Sequence, residues 1–220
     1  MLSLELIISI FIIAATFSAI LNALLRKFSK SKSFLIDLPD DVRKFHDRPT
    51  PLVGGFGIYF ALCITFFVLN ALTEPQFQQI AYPRGLYQFL LGSFGCLLIF
   101  MLDDIFAMSA KMRLVLQALI VLALILSTGT YIAILPDLLS FGSINLGYFG
   151  IPFTIFCCVG LMNAFNMIDG LNGLCAAVAI NALFLLFIDN PSTILPIILM
   201  GSVTGFMLYN IGFFGKKRTI

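Results

Sequence analysis

Three clusters of polar side chains interrupt an otherwise apolar chain, and their residue types are those that handle phosphate and divalent cations. The first is Asn163-Ala164-Phe165-Asn166-Met167-Ile168-Asp169-Gly170-Leu171-Asn172-Gly173, where an apolar run ends in a glycine turn. Asn163 and Asn166 stand about one helical turn apart and Asp169 one turn further, so a polar stripe converges on the break. Interhelical hydrogen bonding accounts for Asn163 or Asn181, but not for the Asp-Gly-x-Asn-Gly turn. The second is Asp103-Asp104, closing the run Leu97 to Leu102. A helix C-terminus disfavours adjacent carboxylates through its dipole, so a compensating cation or substrate is expected. Mg²⁺ fits, because it takes oxygen ligands and is usually held by one or two carboxylates plus substrate phosphates. The plain alternative is an interfacial pair that stops the helix.

The third cluster is basic. Lys111 and Arg113 open the next apolar run, close enough to Asp103 and Asp104 to neutralise them or to hold phosphate oxygens. They also suit a membrane anchor. Gln117, four residues beyond Arg113, shares its helix face and is placed to orient that side chain. Earlier, Arg43, Lys44 and His46, the single histidine, lie in a polar loop kept extended by Pro39, Pro49 and Pro51. Phosphate contact is the expected role. Gly54-Gly55-Phe56-Gly57 follows, where glycines permit close approach of a ligand or another helix.

The elements that must position these residues are membrane helices. The chain is 60% hydrophobic and 11% charged, with a mean hydropathy of +1.04, outside the balance of a soluble domain. A span needs about 20 apolar residues, and seven are expected: 4–25, 52–72, 86–102, 114–130, 149–165, 174–189 and 193–211. The expected fold is all-α, a polytopic transmembrane helical bundle forming one domain over residues 1–220. The first span lacks a basic flank and a cleavage site, and reads as a retained helix. Of the 13 Lys and Arg residues, only Arg84 falls outside the loops and tail that share one side. The positive-inside rule therefore puts the N-terminus outside, the C-terminus in the cytoplasm and all three clusters on the cytoplasmic face. No span carries a charge at its centre, which argues against an ion-coupled transporter. The 5 cysteines sit in or beside spans without metal-ligand spacing and read as packing residues. A net charge of +2 without aromatic interleaving gives no reason to expect nucleic acid; the lipid bilayer and phosphate are the better partners.

Taken in order, Arg43-Lys44-x-His46 with Pro51-Leu52-Val53-Gly54-Gly55, Asp103-Asp104 with Ser109-Ala110-Lys111-x-Arg113, and Asn163 to Gly170 resemble the polyprenyl-phosphate N-acetylhexosamine 1-phosphate transferase family. The spacing is most similar to its bacterial undecaprenyl-phosphate N-acetylglucosaminyl branch. The resemblance implies a multi-pass enzyme of the bacterial inner membrane. It would transfer N-acetylhexosamine 1-phosphate from a UDP-N-acetylhexosamine to undecaprenyl phosphate, release UMP, and so begin O-antigen or another cell-envelope polysaccharide. It implies Mg²⁺ as cofactor, with Mn²⁺ able to substitute, and leaves room for a homodimer. By the same resemblance Asp103 helps to activate the lipid phosphate, Asp104 and Asp169 serve metal and nucleotide, and Arg43, Lys44, His46, Lys111, Arg113, Asn163, Asn166 and Asn172 contact substrate. Asn172 stands where the family usually has a second aspartate; it keeps a carbonyl ligand and loses a base. The family pattern also continues past Ile220, into a further metal-binding motif, a histidine cluster and more spans. A truncated, inactive remnant or a non-catalytic membrane partner therefore stands beside the enzyme as an alternative.

Overall fold

The computed structural model describes residues 2–32, 35–37, 50–72, 85–137, 142–168, 173–191 and 193–211. Helices occupy all seven expected places: α1 (Leu4–Lys32), α2 (Gly54–Leu72), α3 (Leu86–Phe106), α4 (Ala110–Thr128), α5 (Gly150–Ile168), α6 (Leu174–Asp189) and α7 (Leu195–Asn210). The protein is an all-α polytopic membrane protein. Among the described residues, five helical segments are long and apolar enough to cross a bilayer, the last running from Gly147 to Ile168. At 16 residues each, α6 and α7 extend about 24 Å, short of a hydrocarbon core of about 30 Å. Phe67, Leu91 and Phe156 are at least 74% exposed, which suits a surface facing lipid.

Several helix ends differ from the apolar runs. α1 continues beyond residue 25 through Arg26 and Lys32, because hydropathy marks the apolar stretch while the hydrogen-bonded helix carries on through good helix formers. α3 continues past residue 102 to Phe106, and α4 begins at Ala110 instead of 114. The second and third changes move the acidic pair and both cations onto helices. Two small antiparallel ladders were not expected: β1 (Ile36–Asp37) with β2 (Thr50–Pro51), and β3 (Ile134–Leu135) with β4 (Ile144–Asn145).

The helices sort into two compact units. In one, α1 packs on α7 and α2, α2 also meets α7, and α6 packs on α7. α1 buries Ile10, Ala14, Ser18 and Asn22, a row at every fourth residue. Opposite lie Gly201 and Gly205, the small-xxx-small spacing that lets membrane helices approach closely. A Cβ on Gly201 would lie 2.5 Å from the Phe11 carbonyl oxygen, and one on Gly205 would collide with that of Ala15. Gly57 of α2 meets the Asn22 side chain and Gly54 meets Phe206, so these glycines serve helix packing. The β1–β2 ladder, with Leu52 N–H donating to the Leu35 carbonyl at 2.8 Å, joins the end of α1 to the start of α2.

The second unit holds α3, α4 and α5 up to Met167. Gly92 receives Leu124 and Gly95 receives Ile120; position numbers that fall as their partners rise mark an antiparallel hairpin. At the other end of α4 the β3–β4 ladder leads to a short 3₁₀ turn, Gly147–Phe149, and to α5. Thr154 fastens that end, accepting from Ile132 N–H at 2.9 Å and donating to the Gly150 carbonyl at 2.7 Å. The cysteines form no disulfide and are half-buried.

Candidate active site at the α3–α4 corner

Three residues, Ala107 to Ser109, turn α3 into α4. Ala107 adopts a left-handed conformation (φ 47°) and donates its N–H to the Asp103 carbonyl at 2.8 Å, closing α3. Ser109 is extended (φ −63°, ψ 143°), and its hydroxyl accepts from Met112 N–H at 3.4 Å, capping α4. So tight a corner brings the last turn of α3 against the first turn of α4. There Arg113 Nη1 donates to Asp103 Oδ2 at 2.6 Å, with the side chains only 22% and 15% exposed.

Each member of this pair sits at the wrong helix end for its charge. An aspartate near a helix C-terminus and an arginine near an N-terminus both oppose the dipole, by about 0.3–1 kcal/mol each when exposed and more when partly buried. Pairing relieves both penalties. Of the two roles open to Arg113, the structure shows carboxylate neutralisation directly. Asp104, next in the chain, is exposed in the same last turn, and Lys111 is exposed in the first turn of α4.

One turn beyond Arg113, Gln117 is fully buried (0% exposed). Its oxygen does not hold Arg113, as the sequence spacing suggested; it accepts from Asn163 Nδ2 of α5 at 2.8 Å. The other hydrogen of that Asn163 amide goes to the Val159 carbonyl, also at 2.8 Å. The carbonyl cannot donate, so it fixes which end of the Asn163 amide faces α4, and this in turn fixes Gln117 with its oxygen toward Asn163. Asn166, the next polar residue along α5, is exposed where Asn163 is half-buried. The Asn163–Gln117 bond spans 46 residues, and only a buried glutamine four positions after Arg113 hinted at it.

Arg43, Lys44, His46, Asp169 and Asn172 lie outside the described residues. The chain flanking two of these segments is fastened. Ile36–Asp37 pairs with Thr50–Pro51, on either side of the basic stretch in the sequence. Gly173, which precedes α6, has φ 79° and donates its N–H to Asn210 Oδ1 at 2.6 Å. Arg26 stacks over Tyr209, 5.6 Å from the ring centroid. Among the described residues no three His, Cys, Asp or Glu side chains form a metal cluster.

Residues 86–213, more than half of the chain and including the whole α3–α4 corner, match the family described as glycosyl transferase family 4. The chain belongs to that family. Its matched segment also contains Asn163, Asn166, Asp169 and Asn172, whereas Arg43, Lys44 and His46 precede it. The chain is 31% identical over 194 residues to the undecaprenyl-phosphate alpha-N-acetylglucosaminyl 1-phosphate transferase of Yersinia pestis, covering 84% of this chain and 50% of the relative. The Escherichia coli protein of the same name is 29% identical over 220 residues, 97% of this chain and 56% of its own length. A probable undecaprenyl-phosphate N-acetylglucosaminyl 1-phosphate transferase of Bacillus subtilis is 29% identical over 181 residues, 80% and 48% respectively. The chain thus spans about half the length of these relatives.

Proposed function

We propose that this member of glycosyl transferase family 4 transfers N-acetylhexosamine 1-phosphate, with N-acetylglucosamine as the sugar, from a UDP-sugar to undecaprenyl phosphate. The product would be the lipid-linked first intermediate of O-antigen or another cell-envelope polysaccharide. The reaction would run at the cytoplasmic face of the bacterial inner membrane, the side favoured by the Lys and Arg distribution. The observation that carries this reading is the half-buried Asp103–Arg113 pair, 2.6 Å across, at a corner inside the family-matched segment. Support also comes from the names of relatives about 30% identical over most of the chain.

In the proposed mechanism an oxygen of the lipid phosphate attacks the phosphorus that carries the sugar. A new P–O bond forms, the bond to the UMP phosphate breaks, and its electron pair leaves with UMP. Two phosphates of like charge must approach in line, so positioning and charge neutralisation dominate the catalysis. Asp103, held by Arg113, would orient and help to activate the lipid phosphate. Lys111 would add positive charge from the exposed side, with Arg43, Lys44 and His46 as further phosphate contacts and Asn166 and Asn172 on the nucleotide side. The donor chemistry fits Mg²⁺, since the corner offers carboxylate oxygens with a solvent-facing member, Asp104. Asp104 and Asp169 would hold the ion, which when bound supplies neutralisation of the diphosphate.

The test is Mg²⁺-dependent transfer of labelled sugar phosphate from UDP-N-acetylglucosamine to undecaprenyl phosphate by membranes containing only this chain. Lipid-linked label that Asp103→Asn abolishes is the expected result. Label that persists in both Asp103→Asn and Asp104→Asn would move the catalytic centre elsewhere. No label from the inserted, folded chain would favour a binding partner or an inactive remnant.

A further inference from the structure

The corner carries more donors than its protein partners use. Arg113 Nη1 is engaged by Asp103, yet its Nε is buried without a hydrogen-bond partner among the described residues. One turn deeper, Gln117 Nε2 is also buried and unpartnered among the described residues, although the glutamine oxygen is taken by Asn163. Both residues are on one face of α4. A buried unsatisfied donor is costly, and an apolar residue would fill the Gln117 position without that cost. The Val159 carbonyl rules out the simple remedy of flipping the amides, because a flipped Asn163 would set its own oxygen against that carbonyl.

We propose that Gln117 is a ligand-binding residue: with the free Nε edge of Arg113 it donates to a phosphoryl oxygen, while Arg113 Nη1 continues to hold Asp103. The ligand class is a phosphate ester. Two sources share that chemistry, the phosphate of the polyprenyl lipid and the diphosphate of the nucleotide sugar. Arginine suits the role because its planar fork serves one acceptor at the Nη1 end and another along the Nε edge. Asn163 is then a positioning residue, fixing the glutamine so that its N–H, and not its oxygen, meets the anion. This inference rests on the transferase reading above.

The experiment measures equilibrium binding of undecaprenyl phosphate and of UDP-N-acetylglucosamine, separately, to the 220-residue chain in nanodiscs. Wild type, Gln117→Leu, Gln117→Glu and Asn163→Ala are compared, with thermal unfolding of each unliganded protein. A donor to a charged oxygen is worth enough that Gln117→Leu should weaken one arm by roughly tenfold or more. Gln117→Glu, which keeps the acceptor for Asn163 and puts an oxygen where the N–H was, should weaken the same arm at least as much. The arm that responds identifies the source of the phosphate. Asn163→Ala should weaken that arm less, since the glutamine remains but turns freely. Wild-type binding in both arms with no loss in either glutamine variant would overturn the proposal while leaving the transferase reading intact. A wild type that binds neither ligand would overturn both. If Gln117→Leu fails to fold, Gln117→Glu alone decides.

Discussion

The α1–α7 seam and the α3–α4 corner both bury polar groups in a chain that is 60% hydrophobic, and they do so in opposite ways. In the seam the polar groups are neutral and small. Ser18 donates across the seam to the Ser202 carbonyl at 2.5 Å, a bond that a helix backbone can offer where glycines let it approach, and Asn22 donates to the Ser18 carbonyl of its own helix at 2.9 Å. Among the described residues the Asn22 oxygen, set against Gly57, and the Ser202 hydroxyl remain unpartnered there. At the corner the groups are charged, oppose their own helix dipoles, and leave two donors without acceptors. Unpartnered atoms occur in both regions; what sets the corner apart is an ion pair whose two members are each held against the dipole of their own helix.

The largest separation between the two regions is expected for Asp103→Asn. Loss of the carboxylate should lower sugar-phosphate transfer by roughly 10²–10³, the scale of removing one preorganised electrostatic group from a reaction centre. The asparagine retains the volume and one acceptor for Arg113, so the protein should still insert and fold. Radiolabel transfer alongside thermal unfolding checks this. A variant that lost both together would reduce the corner to a structural ion pair like any other.

Gly205→Val tests the seam with the reverse signature. A branched side chain there meets the Ala15 carbonyl and the Ser18 Cβ, backbone and near-backbone atoms that cannot swing aside. Overpacking of this kind costs about 1–3 kcal/mol or more. The expected result is a lowered unfolding temperature, with transfer per folded molecule preserved. Unaltered stability would mean that α1 and α7 are not in the close contact described.

Asn163→Ala lies between these two in effect and in character. It strands the buried Gln117 oxygen, for which about 1–3 kcal/mol is the usual penalty, so both stability and transfer should fall. Replacing both residues, Asn163→Ala with Gln117→Leu, should recover stability without recovering transfer. A double variant that recovered both would make this bond mere packing.

The seven helices were legible because apolar length is a property of the chain itself. Their ends were less so, because hydropathy reports where lipid begins and not where hydrogen bonding stops. The Ser109 cap and the helical character of Ile105-Phe106 decide the corner, and neither is apolar periodicity. Arg113 and Asp103 were both visible as candidates, but their contact depends on a three-residue turn. Gln117 and Asn163, on separate helices, offered no spacing to read. The two-residue ladders lie below any pattern that strand alternation can reveal.

The smallest expected effect is that of Ser18→Ala, and it sharpens the comparison most. The hydroxyl is 0% exposed and bonded to the Ser202 carbonyl, which on a naive view is a strong buried hydrogen bond. That carbonyl is a helix backbone group, however, and such interhelical bonds in membranes average only about 0.6 kcal/mol because the separated helices find other partners. Alanine also fits the small-residue row that lets Gly205 approach. Stability should therefore fall by about that amount and transfer should not change, as thermal unfolding and label incorporation on one preparation would show. A much larger loss would mean that the seam, like the corner, relies on a polar group that no neighbouring backbone can replace, and the division between packing and chemistry would have to be redrawn.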